Sequence, residues 1–183
     1  YAPYDAGMAA IDSPFAFCAG TKDIWVSVTN FGTQQIDTVT VNWELDGVSQ
    51  TPVVYRDTLD TAGGKGVMTA QIKLGSATFG STGRTLKVWT SDPDNEIDTV
   101  NMNDTMSAVI KSSLSGTFTI GSRAGRDYST IAAAVDDLNK FGVCGPVVFN
   151  VDSGTYAAVK MEEIVGASAT NTIEFRGISP SAT

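Results

Sequence analysis

Along the first 110 residues, apolar and polar side chains alternate with period two. In "TVTVNWEL", Val39, Val41, Trp43 and Leu45 fall on one face, and Thr38, Thr40, Asn42 and Glu44 on the other. That is the pattern of a half-buried strand. "DIWVSVTN" turns Ile24, Val26 and Val28 inward. "GVMTAQIKLG" and "RTLKVWTS" repeat the pattern, with Leu86 and Val88 inward in the latter. Turn-forming runs ("NFGTQ", "LDGV", "TAGGKG", "FGSTG", "SDPDN") separate these segments. About seven short strands at roughly 10-residue spacing predict an antiparallel, immunoglobulin-like β-sandwich. Trp43 stands where such sandwiches bury a tryptophan.

The pattern changes after the small, polar break "KSSLSG" (Lys111 to Gly116). We place a domain boundary there, giving a sandwich over 1–112 and a second module over 113–183. In "DYSTIAAAVDDLNKFG", Ile131, Ala134, Val135 and Leu138 recur at helical spacing and form one stripe. Ser129 is the expected N-cap. Asp136, Asp137 and Lys140 are expected to face solvent. Gly142 is expected to close the helix, with Val143 folding back on Leu138 as in a Schellman motif. The segments "GPVVFNV", "GTYAAVKM" and "NTIEFRG" read as short strands. "PVVFNV" is so continuously apolar that it predicts a parallel strand covered on both faces. The helix would then lie across the open end of a right-handed parallel β-helix, over the apolar mouth of its first coil.

Composition narrows the function. The chain has 183 residues, 42% of them hydrophobic, which excludes disorder. No apolar run approaches the roughly 20 residues of a membrane span, and no secretory signal opens the sequence, so in an exported protein it is expected to have been removed or left out. Twenty acidic against 12 basic residues give a net charge of −8. That argues against nucleic acid and membrane insertion. The chain contains no histidine, so no Ser-His-Asp or Cys-His system can be assembled from it. The reading is of a non-enzyme with no cofactor.

Five Asp-Thr dipeptides recur, making Thr38, Thr58, Thr61, Thr99 and Thr105 candidate modification sites. The same dipeptide is also ordinary at strand starts, where Asp favours turns and Thr favours strands. In "SDPDNEIDTV", Asp92, Asp94, Glu96 and Asp98 alternate and could offer oxygen ligands to Ca²⁺. The competing reading is a solvated turn. Trp25 and Trp89 fall on the outward faces of their strands, where exposed rings could stack on sugars, but on opposite sheets. Cys18 lies in the loop between the first two strands and Cys144 just after the helix. In an immunoglobulin-like sandwich, that loop and the exit to the next module share one pole. We therefore expect a Cys18–Cys144 disulfide stapling the two modules. The alternative is two separate thiols.

Two resemblances add to this. "DYSTIAAAVDDL", "VVFNVDSGTY" and "NTIEFRG" resemble the opening of pectin-methylesterase and pectate-lyase-like β-helix families. Their catalytic groups lie on later coils, so no catalytic residue is carried over. "DAGMAAIDSPFAFCAGT", "VSVTNFGTQQIDTVTVNWELDGV", "LKVWTSDPDNEIDTVNMNDT" and the "LSGTFTIG…VDSGTY" region together resemble large secreted surface proteins of Bacteroidetes-type bacteria. Those carry CARDB-like sandwich modules and often leave by type IX secretion. This resemblance implies an extracellular, cell-surface module acting in adhesion, attachment or gliding. Its partners would be extracellular glycans or proteins and further domains of a longer chain. It also implies O-glycosylation at the five threonines. The alternatives are the N-terminal part of a polysaccharide lyase or carbohydrate esterase, and a carbohydrate-binding accessory domain.

Overall fold

The computed structural model describes residues 2–178; Tyr1 and residues 179–183, the outer ends of the two expected domains, lie outside the described residues. The chain forms two compact units. The first comprises residues 1–15 and 20–110, and the second Ala16–Ala19 with Lys111 onwards.

The first unit holds eight strands: β1 (Ala6–Ser13), β2 (Gly20–Asn30), β3 (Val39–Leu45), β4 (Val48–Ser49), β5 (Val53–Tyr55), β6 (Thr69–Phe79), β7 (Arg84–Ser91) and β8 (Thr105–Ile110). One sheet runs β1-β2-β6. The other runs β4-β3-β7-β8, with β5 also paired to β3, and every pairing is antiparallel. Alternation along the strands dictates the core. Val39, Val41, Trp43 and Leu45 are buried, as are Ile24, Val26 and Val28 on β2, and Leu86 and Val88 on β7. The Trp43 indole donates to the Thr51 carbonyl (3.0 Å), so its one polar group is satisfied. Gly75 makes room for that ring: a Cβ there would lie 3.1 Å from it. Asp46 and Gly47, both at positive φ, close the two-residue hairpin between β3 and β4, the backbone that Asp-Gly favours.

The second unit is built on three parallel strands: β9 (Leu114–Ile120), β10 (Val143–Asp152) and β11 (Ile173–Ile178). β10 lies in the centre. The register places Phe118, Phe149 and Phe175 side by side on neighbouring strands. Their rings stack at centroid distances of 5.6 and 4.8 Å. Helix α1 (Ile131–Phe141) packs its stripe onto this sheet. Ala134 and Leu138 are completely buried, in a cluster with Leu114, Ile120, Val143, Val147 and Phe149.

Local details differ from the sequence reading. The N-cap is Thr130, not Ser129: Thr130 has extended φ/ψ and its Oγ1 accepts from Ala133 N at 3.1 Å. Asp137 does not face solvent. It accepts from the Tyr128 hydroxyl (2.8 Å) and from Lys111 Nζ. Val143 makes no Schellman turn, because its N–H donates to the Val165 carbonyl (2.9 Å) as it enters β10. Gly142 (φ 69°) is still needed at the turn, where a Cβ would meet that same carbonyl oxygen at 2.5 Å. β10 is parallel but is not covered evenly on both faces. Val147, Phe149 and Val151 are buried, and Val148 and Asn150 half-buried. "GTYAAVKM" forms no strand. Tyr156 and, beyond the segment, Ile164 reach the apolar cluster, while Val159 and Met161 are exposed. Two anchors so far apart in sequence impose no period-two pairing.

Leu138→Ala should remove a fully buried side chain from the α1–sheet contact and cost about 2–5 kcal/mol, read as a lower urea midpoint. Asp136→Ala, on the exposed face of the helix, should stay within about 0.5 kcal/mol of the parent.

Candidate functional site

Strand β5 and the loop after it form one wall of a cleft of about 450 Å³ in the first unit, lined by Gln35, Tyr55, Asp57, Thr58, Asp60, Gly66 and Val67. β5 is held to β3 through Val39–Tyr55 and Val41–Val53 pairing. Leu59, completely buried, then exchanges both backbone hydrogen bonds with Ile36 (2.8 and 3.0 Å). This pins residues 56–60 as a short arch, with Leu59 inward and Asp57 and Thr58 outward.

Aspartates shape the rest. Asp60 Oδ1 accepts from Thr61 N (2.8 Å) and Oδ2 from Gly66 N (2.7 Å), so the glycine-rich loop winds around one carboxylate. The backbone N–H groups of Gly66 and Thr61 hold that carboxyl below its ordinary pKa. Asp94 accepts from Thr38 N (2.7 Å), Asp37 N (2.9 Å) and the Thr38 hydroxyl (3.2 Å). Asp37 Oδ1 in turn accepts from the Gln35 amide (2.8 Å) and the Thr58 hydroxyl (2.9 Å). Tyr55 is half-buried, and burial, with Asp57 nearby, pushes its phenol above the ordinary value. It therefore stays a neutral donor and acceptor at physiological pH. The exposed Val67 side chain adds apolar surface beside it.

The residues singled out in the sequence are distributed as follows. Thr58, Thr99 and Thr105 are exposed, and Thr38 and Thr61 half-buried. The hydroxyls of Thr38 and Thr58 are already engaged by Asp94 and Asp37. Three of the dipeptide aspartates are loop builders: besides Asp37 and Asp60, Asp98 accepts from Ala6 N (2.8 Å) and Val100 N (2.9 Å). Asp92, Asp94, Glu96 and Asp98 do not share one donor set. Asp92 takes the Ser91 hydroxyl (2.8 Å), Asp94 faces residues 37 and 38, and Asp98 faces Ala6. Among the described residues, no three Asp, Glu, Cys or His side chains are grouped so as to hold a metal ion. Trp25 and Trp89 are half-buried on different sheets, and Lys87 Nζ lies 5.1 Å from the Trp89 ring centroid. Cys18 Sγ comes within 3.7 Å of the Cys144 carbonyl oxygen. Tyr55, Gln35 and Val67 carried no signal in the sequence. β5 is three residues long, too short for alternation to register.

A second cleft, of about 390 Å³, opens where β10 and β11 end, at Asp152, Ser153, Gly154, Tyr156 and Gly177. Arg126 grips Asp152 through two hydrogen bonds (2.9 and 2.7 Å) and holds its carboxyl below the ordinary range. The Tyr156 hydroxyl donates to the Asp152 carbonyl at 2.9 Å. These contacts latch the loop rather than offer a group to a ligand.

No family model matches the chain, and no curated protein matches it. Among solved structures, it is similar to a domain of a presumed cell surface protein from Methanosarcina acetivorans (16% identity, 61% of this chain, 92% of that one, TM-score 0.47). It is also similar to the CARDB domain of a Pyrococcus furiosus protein in solution (11% identity, 61% and 96%, TM-score 0.45) and in a crystal with di-metal ions (10%, 61% and 94%, TM-score 0.40). No helix among the described residues is long and apolar enough to cross a membrane.

One carboxylate behaves differently from the loop builders. Asp104 Oδ1 is buried with no hydrogen-bond partner, as is Asn103 Oδ1. Asp5 accepts from the Asn103 amide (2.7 Å), and Asp98 stands close by. With its amide nitrogen turned inward, Asn101 donates to Asp104 Oδ2 (3.1 Å). Burial first, then the Asp98 and Asp5 charges, push the Asp104 carboxyl up to about 6. Its unfolded value is about 3.9, so the folded chain holds the extra proton between these values. The stability this contributes is complete below about pH 4 and lost as pH rises through about 6. Asp104→Asn cannot ionise. It should raise the thermal midpoint at pH 7.5, change it little at pH 4, and flatten the profile between. A lower midpoint at pH 7.5 would contradict this account.

Proposed function

We propose that the chain is a non-catalytic extracellular module of a cell-surface or secreted protein, acting in attachment through the cleft at Tyr55. The observation that carries this is what the carboxylates do. Asp37, Asp60, Asp94, Asp98 and Asp152 are committed to backbone N–H groups, hydroxyls or a guanidinium. They build loops, and the cleft those loops frame offers groups that hold a ligand. Tyr55 and Val67 give it an apolar wall. The Gln35 amide, the Tyr55 phenol and the outward Asp57 carboxylate give it hydrogen-bonding capacity. An aromatic wall with amide and carboxylate acceptors suits the mixed apolar and hydroxyl surface of a neutral glycan. A polyanionic ligand would meet Asp57, Asp60 and a net charge of −8.

In this reading the second unit is the start of a parallel β-helix, and the resemblance to Bacteroidetes-type secreted proteins supplies the setting. The parallel in-register strands and the Phe118–Phe149–Phe175 stack support it, since a coil stack places equivalent side chains above one another. O-glycosylation fits best at the exposed Thr99 and Thr105, since the Thr58 hydroxyl is held by Asp37.

A glycan array probed with the intact chain tests the attachment reading. Retention of neutral glycans is expected, with Tyr55→Ala weakening it about tenfold, the worth of about 1.4 kcal/mol. Binding that survives Tyr55→Ala unchanged would remove the cleft from the proposal, and turnover of a polysaccharide by the chain would overturn the non-catalytic reading.

A further inference from the structure

The loop Ala16–Ala19 belongs with the second unit although it lies between β1 and β2 in sequence. Its place there is fixed by backbone. Ser113 N donates to the Phe17 carbonyl at 2.8 Å. Ser113 is itself buried, and its hydroxyl is spent on the Phe141 carbonyl (2.7 Å). The Phe17 side chain is buried too. The loop is therefore anchored on both sides of its peptide chain, and the next side chain, Cys18, cannot wander far. Its sulfur rests 3.7 Å from the carbonyl oxygen of Cys144, a residue 126 positions away. Cys144 follows Val143, whose N–H is held by Val165 and whose side chain is in the apolar cluster.

We infer that Cys18 and Cys144 are a redox pair that closes into an intramolecular disulfide. A carbonyl carbon and a Cβ hang from the same Cα. The Cys18 sulfur thus lies against the residue that carries the second thiol, and closure asks the two side chains to rotate toward each other. The chain has two cysteines, so the pairing has no competitor within the chain. Exposure sets the order of events. Cys18 is exposed and Cys144 half-buried. The Cys18 thiolate attacks one sulfur of a small-molecule disulfide such as oxidised glutathione and expels one glutathione thiolate. The Cys144 thiolate then attacks Cys18 Sγ in the mixed disulfide and expels the second. Two protein thiols lose their protons and are oxidised to one S–S bond, while one oxidised glutathione is reduced to two thiols. The bond ties the loop after β1 to the start of the central parallel strand. The loop that carries Cys18 then cannot leave the second unit without a reductant.

The test uses the intact chain, reduced and then incubated with oxidised glutathione at pH 8. The expected product is a monomer lighter by two hydrogens, with no titratable thiol after denaturation. After trypsin without reductant, the peptides 1–22 and 141–160 should be joined. Cys144→Ser should stop at the mixed disulfide and carry one glutathione on Cys18. Cys18→Ser should react more slowly at its half-buried thiol. Two free thiols, a doubly glutathionylated chain or a disulfide-linked dimer from the parent would overturn the pairing. Equal rates for the two variants would overturn the order of attack. Because the decisive measurement is made on the parent chain, a variant that folds poorly does not decide the outcome.

Discussion

A backbone N–H that a turn removes from a sheet ladder needs another acceptor, and at several turns of this chain an aspartate side chain supplies it. A sandwich of short strands has many such turns. An unpaired buried donor costs about as much as several surface contacts can return. Asp60 collects two amides of a loop that has no regular structure of its own. Asp94 reaches across 56 and 57 positions to hold residues 38 and 37. Asp98 closes on Ala6, 92 positions away. In the second unit, Asp127 does the same for Thr119, taking both its N–H and its hydroxyl at 2.7 Å. Part of the acidic balance of the chain is thus an inventory of loop closures, and those carboxylates need not signal a cation or a basic partner.

The two units solve the burial problem differently. In the sandwich, two sheets bury each other's inward side chains, and Gly75 lets the sheets approach where Trp43 is largest. In the second unit, a three-stranded parallel sheet has no facing sheet among the described residues, and α1 supplies the apolar partner. The phenylalanine stack runs across the strands, so each ring covers part of the next. Tyr128 adds edge contacts at 5.9 Å to both Phe118 and Phe149, while its hydroxyl reaches Asp137. This explains why Asp137 turns inward although its place in the sequence reads as solvent: the phenol and Lys111 need an acceptor on the helix.

What the sequence discloses follows the range of the physics. Alternation in β2, β3 and β7 and the stripe of α1 are local, period-bearing signals, and the buried sets they specify are those in the structure, save that Ile131 at the start of the stripe is half-buried. Where a partner lies tens of residues away, the signal disappears. The acidic run Asp92 to Asp98 reads as one group of ligands, yet its members face Ser91, residues 37–38 and Ala6. The cleft was invisible for the same reason. Tyr55, Gln35 and Val67 come from three segments, brought together by the two hydrogen bonds between Ile36 and Leu59. The turn at Gly142 was legible as a stop but not in its geometry, because the acceptor for the next residue comes from Val165. "GTYAAVKM" misled because β-favouring residues without a buried alternate face do not make a strand.

A carboxylate that holds backbone amides is poorly suited to move protons. Its lone pairs are occupied and its pKa is driven down, as at Asp60 and Asp127, whereas a general acid near neutrality needs the opposite shift. Asp104 has that shift, but it earns it beside Asp98 and Asp5, and neither cleft is lined by any of the three. At Tyr55 the lining carboxylates are Asp60, which holds its own loop, and the exposed Asp57. The constraint that builds the loops therefore also shapes the cleft: Asp37 holds the Gln35 amide and the Thr58 hydroxyl, and Asp60 holds the glycine-rich loop, so the walls stand where those hydrogen bonds put them.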